Sequence, residues 1–159
     1  MSRSHGNGSL KVVTGNSNRP LAEAVCKELG ITLCDARVGA FANGETAIKI
    51  LETVRGDDLF VFQPTCSNGD DCDVNQALME ALLLVHTAKL ASVRRVIAVI
   101  PHYGYARQDR KHTSRVPISA SAVATMFTEM GVAGLITVDL HCAQIQGFFR
   151  HHGLASARP

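Results

Sequence analysis

Four short, mostly apolar runs constrain this chain more than anything else in it: Leu10–Thr14, Leu59–Phe62, Val96–Ile100 and Leu135–Val138. Each is closed by a glycine, a proline or a polar residue, and stretches with helical periodicity lie between them. Short, nearly continuous apolar runs suit strands buried on both faces, as in a parallel sheet covered by helices. Parallel neighbours cannot be joined by a tight turn, so the alternation of strand and helix implies βαβ crossovers. The expected fold is α/β, three layers deep, around a mainly parallel sheet. At 159 residues, 46% of them hydrophobic, the chain is one domain large enough to bury a real core.

Local signals fill in the frame. Asn18 is placed to cap a helix running through Leu29, with Pro20 near its start and Gly30 just past its end. Leu21, Ala24, Val25 and Leu29 fall on one face of that helix and are expected to be its buried side. Two extended segments, Leu33–Phe41 and Thr46–Leu51, flank Asn43-Gly44. Asn-Gly between extended runs is the strongest short-range hairpin signal. Asp73, with Gln76 three residues on, has the spacing of a capping box for a helix reaching about Leu90. In that helix Val74, Ala77, Leu78, Ala81, Leu82 and Val85 make an apolar stripe, widened by Leu83 and Leu84. Such a helix is packed on more than one side. A third helix opens at Pro117 and Ser119, carries Ala122, Val123, Met126, Phe127 and Met130, and closes at Gly131.

Residues 1–9 read as a flexible lead-in without the apolar core of a secretory signal. No apolar run approaches the ~18 residues of a membrane span, so no membrane partner is expected. Five cysteines, Cys26, Cys34, Cys66, Cys72 and Cys142, form an odd set with no CxxC pair. That argues against structural zinc and for reduced thiols in an intracellular, cytoplasmic protein.

Two stretches carry chemistry. After the last apolar run come Asp139 and His141, then a polar helical turn over Cys142–Gln146 and Gly147-Phe148-Phe149. Ligands of open α/β sheets sit outside the carboxyl ends of the strands. An acid and an imidazole one residue apart there can hold a metal or a phosphate; Asp139 as a helix cap beside a surface histidine is the plainer alternative. The second stretch, Arg107–Arg115, sets Arg107, Arg110, Lys111 and Arg115 against one acid, Asp109, beyond the strand before. Arginine forks bind phosphate oxygens in pairs, which suits a polyphosphate. A solvated basic loop fits the same residues. Nucleic acid stacked on Tyr103 and Tyr105 has thin support in a chain of formal charge +2. Neither a GxxxxGK[ST] loop nor a strand-linked GxGxxG occurs.

Several motifs together resemble one family. VDLHCAQIQGFF resembles the DLHxxQIQGFF metal-binding signature of ribose-phosphate pyrophosphokinases, and IPHYGYARQDRKHTSR resembles their IPxxxYARQDxKxxxR block. FANGET and TVRGDDLFVFQ resemble their FxNxET loop and SVRGxDVYxxQ segment. The likeness runs from about Leu10 to Phe149 and implies a phosphoribosyltransferase-like fold, with residues 10–159 forming the N-terminal, ATP-binding domain. Members transfer the diphosphoryl group of ATP to the C1 hydroxyl of ribose 5-phosphate with Mg²⁺, releasing AMP. The resemblance implies that Arg107 and Gln108 hold ATP, and that His141, a catalytic and metal residue, holds the Mg²⁺–phosphate assembly with Asp139. It implies that Phe41, Asn43, Gly44 and Glu45 hold adenine from a neighbouring subunit of a homodimer or hexamer. Arg55 and Arg115 resemble arginines of a regulatory phosphate site.

His112 departs from the acid many members carry there, and the tail from Arg150 to Gly153 departs from the family's acidic pattern. The sequence also ends before the family's ribose-phosphate loop, catalytic loop and second metal-binding acid, so the ribose 5-phosphate site is expected elsewhere and this polypeptide is expected to be inactive alone. A non-catalytic, synthetase-associated regulatory subunit is the alternative, and an RNA-binding module stands behind both.

Overall fold

A computed structural model describes residues 8–69, 72–149 and 154–156. Residues 1–7 of the lead-in expected over 1–9, and the tail from Arg150 to Gly153, lie outside the described residues. Five strands form one parallel sheet: β1 (Leu10–Thr14), β4 (Asp58–Phe62), β5 (Arg95–Val99), β6 (Gly134–Thr137) and β7 (Leu154–Ser156), in that spatial order. Between β1 and β4 the chain makes helix α1 (Arg19–Glu28) and an antiparallel hairpin of β2 (Ala36–Ala40) and β3 (Thr46–Ile50). Helices α2 (Val74–Leu90) and α3 (Ser119–Glu129) follow β4 and β5, and a 3-10 helix spans Ala143–Phe148. The three-layer α/β expectation is borne out. α1 packs on Val12 and Phe62 on one face, while α2 and α3 cover Val13, Leu59, Val61, Ala98 and Leu135 on the other.

α2 is buried along Ala77, Ala81, Leu84, Val85 and Ala88, and Val38, Ile48 and Ile50 of the hairpin join the same core. The sheet and the hairpin thus occupy two sides of α2, which is why its sequence is apolar so far around. The hairpin loop has three residues rather than two: Phe41 N–H donates to Glu45 O (2.8 Å) and Gly44 N–H to Phe41 O (2.9 Å). Gly44 takes φ 88°, the left-handed position such loops require. Glu45 N–H also donates to the Asn43 side chain (3.2 Å).

Two local expectations are corrected, and one strand was not foreseen. Asn18 caps α1 through its side chain and Leu21 N–H (3.1 Å), but the buried face is Ala22 and Cys26; Leu21 and Leu29 are exposed. Small residues let the helix approach the sheet closely, and the leucines flank the contact. At α2, Asp73 accepts from Asn75 and Gln76 N–H (2.7 and 2.8 Å), yet the Gln76 side chain donates to Glu80 (3.2 Å) instead of closing the box. Strand β7 carried no sequence signal strong enough to be assigned.

Glu80 itself is fully buried inside α2. Its carboxylate accepts from Asn16 N–H, Asn16 Nδ2 and Gln63 Nε2, each at 2.8 Å, besides Gln76. No cation partners it among the described residues. Amide donors replace solvation there, the condition on which a buried carboxylate is tolerated. The cluster ties the loops after β1 and β4 to α2.

Candidate functional site

The carboxyl ends of β4, β5 and β6 open into a cleft of about 650 Å³. Its floor is made by short backbone contacts between successive strand ends. Thr65 N–H donates to His102 O (3.0 Å), Asp139 N–H to Pro101 O (3.3 Å), and Gly104 N–H to Thr65 Oγ1 (2.7 Å). A side chain at position 104 would put its Cβ 2.6 Å from the Thr65 carbonyl oxygen, so only glycine fits. Tyr103 is buried, edge-on to Phe149 at 6.0 Å, and donates to Ala120 O (3.0 Å); burial pushes its phenol far above the usual tyrosine range. It is a core pillar and has no face for stacking a base, contrary to the nucleic-acid alternative. Tyr105 is half-exposed at the cleft with φ 62°, and its hydroxyl donates to Asn75. A non-glycine residue there is uncommon and marks a tightly constrained loop.

Arg107, Gln108, Asp139 and His141 all line this cleft and all are exposed. The two stretches singled out from the sequence therefore meet at one place. Among the described residues Arg107 has no carboxylate within 4.0 Å, leaving its guanidinium free for an anion. Gln108 is held from behind: Ser119 donates to its side chain, and Ala120 N–H donates to its carbonyl (3.2 Å). The first turn of α3 thus spends donors on the loop, Ser119 being its first helical residue after the cap position at Ile118. Thr65 and Ser119 are the site residues that sequence reasoning missed, since neither belongs to a motif with its own chemistry.

The remaining expected residues lie elsewhere in the chain. Phe41, Asn43, Gly44 and Glu45 sit at the hairpin tip beside α2, Phe41 being 62% exposed. Arg55 lies before β4 at the amino end of the sheet, whereas Arg115, with φ 62°, follows the basic loop beyond the carboxyl end of β5. One chain does not bring these two arginines together.

The sequence from residue 10 to residue 131 matches the family described as the N-terminal domain of ribose phosphate pyrophosphokinase. The chain belongs to that family. Ribose-phosphate pyrophosphokinases of Thermotoga maritima and Nitrosomonas europaea are each 51% identical to it, over 140 and 142 residues. These alignments cover 88% and 89% of this chain but 43% of each relative. A phosphoribosylpyrophosphate synthetase from Mycobacterium smegmatis superposes with a TM-score of 0.85 at 39% identity, over 93% of this chain and 48% of that one. The chain therefore spans a little under half the length of the pyrophosphokinases it matches.

Proposed function

We propose that this chain is the ATP- and Mg²⁺-binding half of a ribose-phosphate pyrophosphokinase, which moves the diphosphoryl group of ATP to the C1 hydroxyl of ribose 5-phosphate. The convergence of Arg107, Gln108, Asp139 and His141 on one cleft carries the reading. A regulatory subunit without catalysis has no chemical need of that set. Arg107 grips phosphate oxygens through its fork, and Gln108, fixed by α3, orients the nucleotide. Among the described residues no three metal-ligating side chains cluster. That suits Mg²⁺, which keeps waters and is shared with substrate phosphates rather than caged by protein. Asp139 and His141 would hold it, and the ion would neutralise the charge of the transferring group.

Phe41, Asn43, Gly44 and Glu45, outside their own chain's cleft, serve adenine in a neighbour's, so the working unit is a homodimer or hexamer. Arg55 and Arg115 act across subunits at a regulatory phosphate site. Orienting the sugar hydroxyl, worth several kcal/mol of barrier, falls to the part of the pyrophosphokinases that these residues do not match. Five unbonded thiols fit the cytoplasm.

The test is calorimetric titration with a non-hydrolysable ATP analogue. Binding strengthened by Mg²⁺ and weakened at least about tenfold in Arg107→Ala is expected, the scale of a charge-assisted phosphate contact. A folded, dimeric wild type that ignores the analogue refutes the reading and favours the regulatory subunit.

A further inference from the structure

Asp109 is the single acid of the basic loop, yet it does not line the cleft. It is 9% exposed and packs behind the site. Its Oδ2 accepts from the Cys142 thiol (3.1 Å) and from Gln144 Nε2. These hydrogen bonds, the thiol's first, hold its carboxyl below the usual range. Arg107 and Gln108 immediately precede Asp109, while His141 immediately precedes Cys142 and Asp139 stands three residues before it. Among the described residues this is the one side-chain hydrogen-bonded link between the loop after β5 and the segment after β6.

We propose that Asp109 is a positioning residue whose clasp on Cys142 and Gln144 sets the spacing between the phosphate-gripping half of the site, Arg107 and Gln108, and the metal-holding half, Asp139 and His141. The inference rests on the nucleotide reading above. Each half sits on its own strand end, so each keeps its local shape without the clasp. What the clasp adds is registration: one polyphosphate reaches the guanidinium and the bound ion together. Partners standing behind a site's ligands commonly matter this much, costing about 10–100-fold in metal affinity when removed.

The predicted signature is a loss of coupling rather than of binding. The probe is a non-hydrolysable ATP analogue, titrated with and without Mg²⁺ by calorimetry. In Asp109→Ala the enhancement of affinity by Mg²⁺ falls about tenfold or more, while metal-free affinity, which depends on Arg107, changes by less than about threefold. Reversing the polarity of the bond in Asp109→Asn combined with Gln144→Glu restores most of the enhancement, because an amide then donates to a carboxylate across the same gap. An undiminished Mg²⁺ enhancement in Asp109→Ala overturns the proposal. So does an equal loss in both titrations, with a lowered melting temperature and no rescue by the double variant, since that is a purely structural role. A wild type that binds neither form overturns the nucleotide reading itself, and the role of Asp109 with it.

Discussion

Replacing Glu80 by alanine probes the one fully buried carboxylate among the described residues. The substitution removes the acceptor for four donors. Gln63 is fully buried, and its Oε1 already lacks a partner. Its Nε2 keeps a long bond to Ala77 O (3.4 Å), but leaving the second N–H without an acceptor costs about 1–3 kcal/mol. Asn16 and Gln76 are more accessible to water, so their lost bonds add about 0.5–1 kcal/mol each. With three such bonds and the packing lost from α2, the total is about 3–6 kcal/mol. For a domain of this size that lowers the melting temperature by roughly 6–24 °C. Glu80→Gln is the informative control. Its remaining oxygen keeps Gln63 and the Asn16 N–H satisfied, and the Asn16 and Gln76 amides turn to accept from the new NH₂. The expected loss is about 1 kcal/mol. Urea denaturation of the three proteins measures both differences. An alanine variant within about 1 kcal/mol of wild type, or a glutamine variant as unstable as alanine, refutes the claim that acceptor count decides the matter.

Three further outcomes follow from the same geometry. Gly104→Ala drives a Cβ against the Thr65 carbonyl and is expected to weaken binding of the ATP analogue at least about tenfold, because a small misplacement of the loop carrying Arg107 is enough; calorimetry with unchanged affinity rules this out. Arg95 and then Arg94, each 2.5 Å away, hold the Asp58 carboxyl well below the usual range. A depressed folded-state pKa contributes stability above the unfolded value of about 4 and loses it as pH falls, so Asp58→Asn is less stable than wild type at neutral pH and the gap narrows below about pH 4; a pH-independent gap in denaturant melts contradicts it. Burial pushes the Cys34 thiol up to about 12 and Cys72 up to about 11, whereas Cys66 lines the cleft. Disulfide-exchange labelling of the native protein is therefore expected at Cys66 before Cys34 and Cys72, and to be slowed there by the analogue with Mg²⁺; equal rates at all three thiols refute it.

The parts of this architecture written in local physics could be read directly. Strand runs, the Asn18 and Asp73 caps and the Asn43-Gly44 turn each depend on neighbours a few residues away, and each stands where the pattern put it. What escaped depends on distant partners. The spacing that made Leu21 and Leu29 look buried is nearly satisfied by Ala22 and Cys26, and only the flat approach of α1 to Val12 and Phe62 decides between them. Glu80 carries no sequence signal of its own, because only the loops after β1 and β4, closing over it, make it a buried acceptor. Gln76 had the right spacing for a capping box, but the buried acid four residues on claimed its amide. At the site, Arg107 and His141 were visible as chemistry, whereas Asp109 looked like one acid diluted among bases. Its partners Cys142 and Gln144 lie 33 and 35 residues away, and no periodicity reports that.

The sheet order has a consequence for how the chain is made. Spatial order and chain order coincide from β1 through β4, β5, β6 and β7, so no strand must be threaded between two that are already paired. Each strand leaving the ribosome meets the open edge of the one synthesised just before it, and every closure spans a single crossover rather than the whole domain. Short closures keep the entropic toll of parallel pairing low. The protein can therefore crystallise outward from its amino end, and the cleft forms only once its final wall arrives with the segment after β6.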